Sequence, residues 1–201
     1  MEQIFNKIVL KNNCISVWKI NSPLNQLVTY PDMQQEELNA MNLLKNKQRK
    51  IEFIACRIAL KKLFHKDIKL QHYKSGKPFI KDVDHLSISH SKNYIALAFG
   101  PENIGIDIEE PQQKMLRIIS RILSEEEQLK FQKHLDPELA CKLWSSKEAV
   151  LKFVGDKKID FKKDIYIEDI DSGKINYLKN NLFVQFEYVE EMLVTIASKL
   201  G

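Results

Sequence analysis

Residues 86–109 read LSISHSKNYIALAFGPENIGIDIE, and this stretch decides the fold class. Leu86–His90 and Tyr94–Phe99 are strand-like runs, and the three residues between them predict a hairpin. The turn sequence GPEN follows, and a third strand is predicted at Ile104–Glu109. Because hairpins join antiparallel strands, the stretch favours an α+β fold over a doubly wound parallel sheet.

The rest of the chain repeats this organisation. Strand–turn–strand units at residues 86–99 and 184–197 each close one half of the chain. We therefore predict two packed α+β subdomains, 1–102 and 103–201, with mainly antiparallel sheets and packed helices. The other predicted strands are Ile4–Leu10, Cys14–Ile20, Ile165–Ile170, Leu182–Val189 and Met192–Ala197, and the predicted helices are about Met33–Leu44, Lys47–Phe64 and Pro137–Phe153. Helix is also predicted after Pro111, where Ser124 and Glu127 have the spacing of a capping box.

The composition is that of a globular protein. Of the 201 residues, 44% are hydrophobic and 29% are charged, which excludes disordered and collagen-like classes. No run approaches the ~20 apolar residues of a membrane span, and the first residues lack a secretory signal, so we expect no membrane association. Cys14, Cys56 and Cys141 form no CxxC pair, which favours a reduced, cytoplasmic protein. A net charge of +4 with few arginines disfavours a nucleic-acid partner.

Two acids of the strand Ile104–Glu109 are candidate metal ligands. The period of two places Asp107 and Glu109 on one face, together with Gly105, and the three isoleucines on the other. The two carboxylates are then about 6–7 Å apart, close enough to share a divalent cation. The alternative is a half-buried strand whose acids face water.

The helix containing WSSKEAVLK (residues 144–152) carries the next candidates. Lys147 falls in the middle of the apolar arc, where a buried ammonium needs a carboxylate or a bound anion. Glu148 and Lys152 are four residues apart at the edge of the arc. The alternatives are a lysine that extends to solvent and an ordinary surface ion pair.

Two further segments fit an anion. His90 ends a predicted strand beside Ser89, and imidazole and hydroxyl groups both donate to phosphates. Lys77 lies in the turn Gly76-Lys77-Pro78, which places a cation at a tight bend. A structural histidine and an ordinary exposed turn are the alternatives. The motifs HExxH, GxxxxGK[ST], GxGxxG and GxSxG are absent.

Taken in order, four segments resemble those of the Sfp-type 4′-phosphopantetheinyl transferases. The GxDxE strand followed by the WxxKEAxxK helix is the most specific pair. The matching segments are Gly76-Lys77-Pro78, Ile88-Ser89-His90-Ser91, Ile104–Glu109 and Trp144–Lys152.

The resemblance implies two subdomains related by a pseudo-twofold axis, with coenzyme A in the cleft between them. It implies Mg²⁺-dependent transfer of 4′-phosphopantetheine from coenzyme A to a serine of an apo acyl- or peptidyl-carrier protein, with release of 3′,5′-ADP. The implied metal ligands are Asp107, Glu109 and Glu148, and the implied catalytic residues are Glu148, as base for the carrier serine, Lys152 and Asp107. The residues implied to bind the coenzyme A phosphates or to hold their site are Lys77, Ser89, His90, Lys147 and Lys152.

In this family, basic residues in the first half of the chain bind the 3′-phosphate of coenzyme A. Arg49 and Arg57 lie on the predicted helix where such residues are expected, and solvated helix arginines are the alternative. We expect a monomer in which the acids of the strand and of the helix converge and Lys147 lies near the cleft.

Other functions are also open. The chain could be a module that binds coenzyme A or a carrier protein without turnover. It could also be a metal-dependent phosphohydrolase that uses water as the nucleophile.

Overall fold

The computed structural model describes residues 1–9, 12–64 and 67–199. The strands are β1 (Glu2–Ile8), β2 (Cys14–Lys19), β3 (Gln71–His72), β4 (Pro78–Phe79), β5 (His85–Ser91), β6 (Tyr94–Gly100), β7 (Gly105–Glu109), β8 (Ile165–Asp169), β9 (Lys174–Tyr177), β10 (Asn180–Val189) and β11 (Met192–Ser198). The helices are α1 (Leu24–Leu27), α2 (Gln35–Asn42), α3 (Lys47–Leu63), α4 (Met115–Ile122), α5 (Glu125–Phe131) and α6 (Pro137–Val154), and a 3₁₀ turn follows α5 at Gln132–His134.

In the part of the chain that the structure describes, the strands form two large antiparallel sheets and a small one. The first sheet has the order β1-β2-β6-β5, the second has the order β7-β11-β10-β9-β8, and β3 pairs with β4. The predicted α+β class with antiparallel sheets and packed helices is confirmed, as are the hairpins β5–β6 and β10–β11. The predictions did not include α1, β3, β4 and β9, which are short. The last residue of the first predicted strand, Leu10, lies outside the described residues.

Among the described residues, three apolar clusters hold these layers together. One lies between α3 and the first sheet, and a second lies between α6, α4 and the second sheet. The third contains side chains of both sheets, such as Ile15 and Ala96 from the first and Ile106 and Val194 from the second. The two sheets therefore bury apolar surface against each other, which stabilises their packing. The division into subdomains at residue 102 stays a prediction.

Serine side chains join the edges of the two sheets. Strand β5 places Ser87, Ser89 and Ser91 on one side because side chains alternate along a strand. The backbone N–H of Ile106 donates to Ser87 Oγ at 3.0 Å, and that of Ile108 donates to Ser89 Oγ at 3.3 Å. These contacts bring β7 beside β5. The acids of β7 consequently face residues of both halves of the chain.

In the described residues, no helix combines the length and the apolar character needed to cross a membrane.

Candidate active site

Helix α6 is positioned over β7 by its caps and by a glycine. The Asp136 side chain accepts the N–H of Leu139 at 2.7 Å, and Gly155 ends the helix in the left-handed region at φ 74°. A Cβ at Gly105 would overlap the carbonyl oxygen of Ala149 and come within 2.6 Å of the nitrogen of Phe153. Glycine at position 105 therefore allows the helix backbone to approach the strand that carries the acids.

Asp107 is the centre of a buried polar network. It lies on the α6 side of β7 and is 3% exposed. Its Oδ1 accepts from Lys152 Nζ at 2.7 Å and from Ser89 Oγ at 2.9 Å, and its Oδ2 accepts from Ser145 Oγ at 2.8 Å. Residues of strand β5 and helix α6 thus donate to a single carboxylate of strand β7, and Lys152 balances its charge.

The other two predicted acids, Glu109 and Glu148, lie close enough to Asp107 for its charge to raise their pKa values. Burial and the nearby Asp107 carboxylate raise the pKa of Glu109, which also accepts from Ser91 Oγ at 3.0 Å. Burial, followed by repulsion from Asp107, raises the pKa of Glu148 to about 7, while Lys152 acts in the opposite direction. The three carboxylates of the strand and the helix therefore lie within electrostatic range of one another, and a cation among them would relieve their repulsion.

The donor set fits Mg²⁺ in kind, although the acids are not gathered as a ready-made cage. Within residues 1–9, 12–64 and 67–199, no three His, Cys, Asp or Glu side chains converge closely enough to hold a metal by themselves. Mg²⁺ prefers oxygen ligands and is usually held by one or two carboxylates completed by substrate phosphates and water. A site that is incomplete without a phosphate ligand agrees with that preference.

A cavity of about 230 Å³ lies beside this network, between the turn at Gly76-Lys77-Pro78 and the end of α6. Lys77, Lys152 and Lys157 line it, which gives it a positive character suited to an anion. Lys77 Nζ donates to the carbonyl oxygen of Phe153 at 3.0 Å and to Asn103 Oδ1 at 2.6 Å. Burial lowers the pKa of Lys77.

A second cavity, of about 300 Å³, lies between α3 and β5. Arg49, Arg57 and His90 all line this cavity. Glu52 and His72, which were not singled out from the sequence, line it as well. His90 Nδ1 lies 3.3 Å from Glu52 Oε2, and burial lowers the pKa of the imidazole. Its lining makes the second cavity suited to a phosphate.

Arg57 is held more firmly than a solvated helix arginine. Its guanidinium lies over the Phe53 ring at 3.3 Å from the ring centroid and donates to the Phe53 carbonyl oxygen at 3.1 Å. Its Nε lies 3.7 Å from Glu37 Oε1. Arg49, by contrast, is exposed at the rim. Of the two arginines, Arg49 has the side chain that is free to move towards a ligand.

The expectation that Lys147 lies near the cleft and holds the ligand is wrong for this structure. Lys147 is fully buried on the other side of α6, where its ammonium lies 2.7 Å from Glu127 Oε2. It also donates to the carbonyl oxygens of Ile122, Phe161 and Ile165 at 2.7–3.1 Å. Helix periodicity showed that this lysine needs a partner, but the partner is a carboxylate of the core. Lys152 supplies the cation of the site.

Four contributors to the site were missed by the sequence reasoning: Ser145, Glu52, His72 and Lys157. The alternating serines of LSISHS were visible, and only Ser89 was singled out among them. Their spacing of two is the signal that could have identified Ser87 and Ser91 as a polar edge.

Comparisons with known proteins each cover less than half of this chain. Residues 103–197 match the model of the 4′-phosphopantetheinyl transferase superfamily. A 94-residue segment is 36% identical to the 4′-phosphopantetheinyl transferase Sfp of Bacillus subtilis (strain 168), covering 44% of this chain and 42% of that protein. The 4′-phosphopantetheinyl transferase ffp of Bacillus subtilis matches with the same identity and coverage. The chain thus spans less than half the length of these two relatives in the alignments.

Proposed function

We propose that this chain transfers 4′-phosphopantetheine from coenzyme A to a serine of a carrier protein, because residues 103–197 match the model of the 4′-phosphopantetheinyl transferase superfamily. The acceptor is an apo acyl- or peptidyl-carrier protein, and the second product is 3′,5′-ADP. One observation carries the proposal. The matched segment contains both the strand with Asp107 and Glu109 and the helix with Glu148 and Lys152, and the structure packs them against each other.

Phosphoryl transfer needs positioning and neutralisation of charge more than covalent chemistry by the protein. Asp107, Glu109 and Glu148 would hold Mg²⁺, which when bound neutralises the pyrophosphate of coenzyme A. Lys152 would bind a phosphate oxygen, since its side chain lines the first cavity and is 26% exposed.

Glu148 is suited to accept the proton of the carrier serine. A general base works best when its pKa lies near the operating pH, and the pKa of Glu148 is raised to about 7. Deprotonation of the serine hydroxyl would accompany its attack on the β-phosphorus of coenzyme A. The bond that breaks joins this phosphorus to the oxygen of the 3′,5′-ADP leaving group.

The two cavities would receive the nucleotide part of coenzyme A. Lys77 and Lys152 line the first, and Arg49, Arg57 and His90 line the second, while Ser89 lies on the strand between them. The free thiols of Cys14, Cys56 and Cys141 agree with a cytoplasmic location for this reaction. We expect the working unit to be a monomer, which analytical ultracentrifugation would test.

Intact-mass measurement tests the proposal directly. The purified chain, incubated with coenzyme A, Mg²⁺ and a panel of apo carrier proteins, should add one phosphopantetheine to at least one carrier. Asp107→Ala and Glu148→Ala should abolish the addition, whereas Asp84→Ala, at an exposed position, should retain it.

The same experiment separates the alternatives. A module without turnover would bind coenzyme A in calorimetry and modify no carrier. A phosphohydrolase would release 3′,5′-ADP from coenzyme A with no acceptor present. Either result, obtained with a folded wild-type chain, would refute the transferase proposal.

A further inference from the structure

The two carboxylate oxygens of Asp107 lie in different surroundings. Oδ1 accepts from Ser89 and from Lys152, and the Lys152 side chain lines the first cavity. Oδ2 points into the protein, where its donor is Ser145, which is completely buried. A ligand in the cavity can therefore draw Lys152 away from Oδ1, whereas Ser145, the donor of Oδ2, is completely buried.

Two other completely buried hydroxyl groups near Asp107 do not form the hydrogen bond that Ser145 forms. The next residue on α6, Ser146, is also completely buried, and so is Thr195, which lies directly opposite Asp107 on β11. In the part of the chain that the structure describes, neither of these two hydroxyls has a hydrogen-bond partner. Of these three completely buried hydroxyls, the one on Ser145 is therefore the one that donates to the carboxylate, and it binds Oδ2, whereas Ser89 and Lys152 bind Oδ1.

We propose that Ser145 is a positioning residue that holds Oδ2 of Asp107 and thereby directs Oδ1 towards the cation and phosphates in the cleft. This inference rests on the proposed function, because it assigns Asp107 a ligand in the cleft. The side chain of Asp107 can rotate about its Cβ–Cγ bond, and this torsion has a broad minimum. A donor fixed on a rigid helix restricts that rotation, so the outer oxygen keeps its direction when Lys152 turns to a phosphate.

The physical reason for a hydroxyl at position 145 is the cost of an unsatisfied buried oxygen. If Ser145 is replaced by alanine, Oδ2 loses its donor in a place that water does not reach, and the carboxylate gains from turning Oδ2 towards Ser89 or Lys152. The ligand oxygen would then be misdirected although every charged residue of the site is still present. Partners that orient metal ligands typically change metal affinity by about 10- to 100-fold when they are removed.

The test compares Ser145→Ala with Ser146→Ala, a matched control one residue away. Mn²⁺ replaces Mg²⁺ as the probe, and its binding to the full chain with coenzyme A present is measured by electron paramagnetic resonance. We expect Ser145→Ala to weaken Mn²⁺ binding by about 10-fold or more and Ser146→Ala to leave it unchanged. Ser145→Thr, which keeps the hydroxyl, should restore most of the affinity.

Stability and kinetics complete the test. Thermal unfolding should show that Ser145→Ala remains folded at the temperature of the binding assay. In the transfer reaction, the variant should need a higher Mg²⁺ concentration for half-maximal rate, with a smaller change in the rate at saturating Mg²⁺. A purely structural role for Ser145 would lower stability without this shift.

The outcomes also separate this inference from the proposed function. Equal Mn²⁺ affinities of the two alanine variants, or a wild type that binds no Mn²⁺, would overturn the role of Ser145 even if carrier proteins are modified. A tenfold loss confined to Ser145→Ala would support it even if no carrier in the panel accepts phosphopantetheine.

Discussion

Replacing Lys147 by methionine should make the protein easier to unfold without weakening the binding of coenzyme A that the proposed function requires. The ammonium of Lys147 lies in the core between α6 and the second sheet and has four oxygen acceptors at 2.7–3.1 Å. Methionine fills a similar volume but cannot donate a hydrogen bond. The substitution therefore leaves the buried carboxylate of Glu127 without its counter-charge and three carbonyl groups without this donor.

The size of the effect follows from this arrangement. Breaking a buried ion pair by removing one partner costs about 3–5 kcal/mol. Glu127 keeps the N–H groups of Ser124 and Ile167, each at 2.8 Å, and these bonds favour the lower end of the range. Because 1 kcal/mol shifts Tm by about 2–4 °C in a protein of this size, Tm should fall by roughly 6–20 °C.

Urea unfolding followed by circular dichroism measures the loss, and calorimetry on the folded variant measures the affinity for coenzyme A. Lys142→Met is the matched control, since Lys142 lies on the same helix in a surface pair with Glu138. That control should cost about 0–1 kcal/mol. Adding Glu127→Gln to Lys147→Met should recover part of the loss, because the uncompensated charge is removed. Weaker coenzyme A binding with unchanged stability would refute the reasoning and return Lys147 to the ligand site.

Three further predictions concern other parts of the fold. Gly105→Ala should lower the free energy of unfolding by about 1–3 kcal/mol, because the added methyl group overlaps the backbone of α6; an unchanged urea midpoint would contradict this. Tyr94→Phe should cost about 0.5–1.5 kcal/mol in the same assay, since the phenol donates to Glu190 and Glu191 at the turn between β10 and β11; equal midpoints would show that the turn does not depend on it. Burial raises the pKa of Cys56 from 9.0 to about 12, so between these values the native thiol keeps a proton that the unfolded chain loses, and stability should fall as pH rises through this window. Cys56→Ala should reduce that slope in urea titrations at pH 8–10.5, and an identical slope would count against the burial of this thiol.

The sequence alone predicted much of the local structure. Period-two alternation placed Asp107 on the same face as Gly105 and opposite Ile106, and the structure shows this arrangement, with Ile106 in the core shared by the two sheets. The capping box of Ser124 and Glu127 formed as the spacing predicts. These features depend on residues only a few positions apart, so the local pattern is enough to specify them.

Tertiary packing decided which side chains meet. The place of Lys147 in the middle of the apolar arc predicted a partner of opposite charge. It did not predict that this partner is Glu127, which comes from another helix. Lys152 forms its ion pair with Asp107 of β7, although Glu148 is the acid four residues away along its own helix. Ser145 gave no signal in the sequence, because its hydrogen bond spans 38 positions and depends on how closely α6 approaches β7. Such contacts are set by the burial of apolar faces between distant segments, and the period of any one segment does not contain that information.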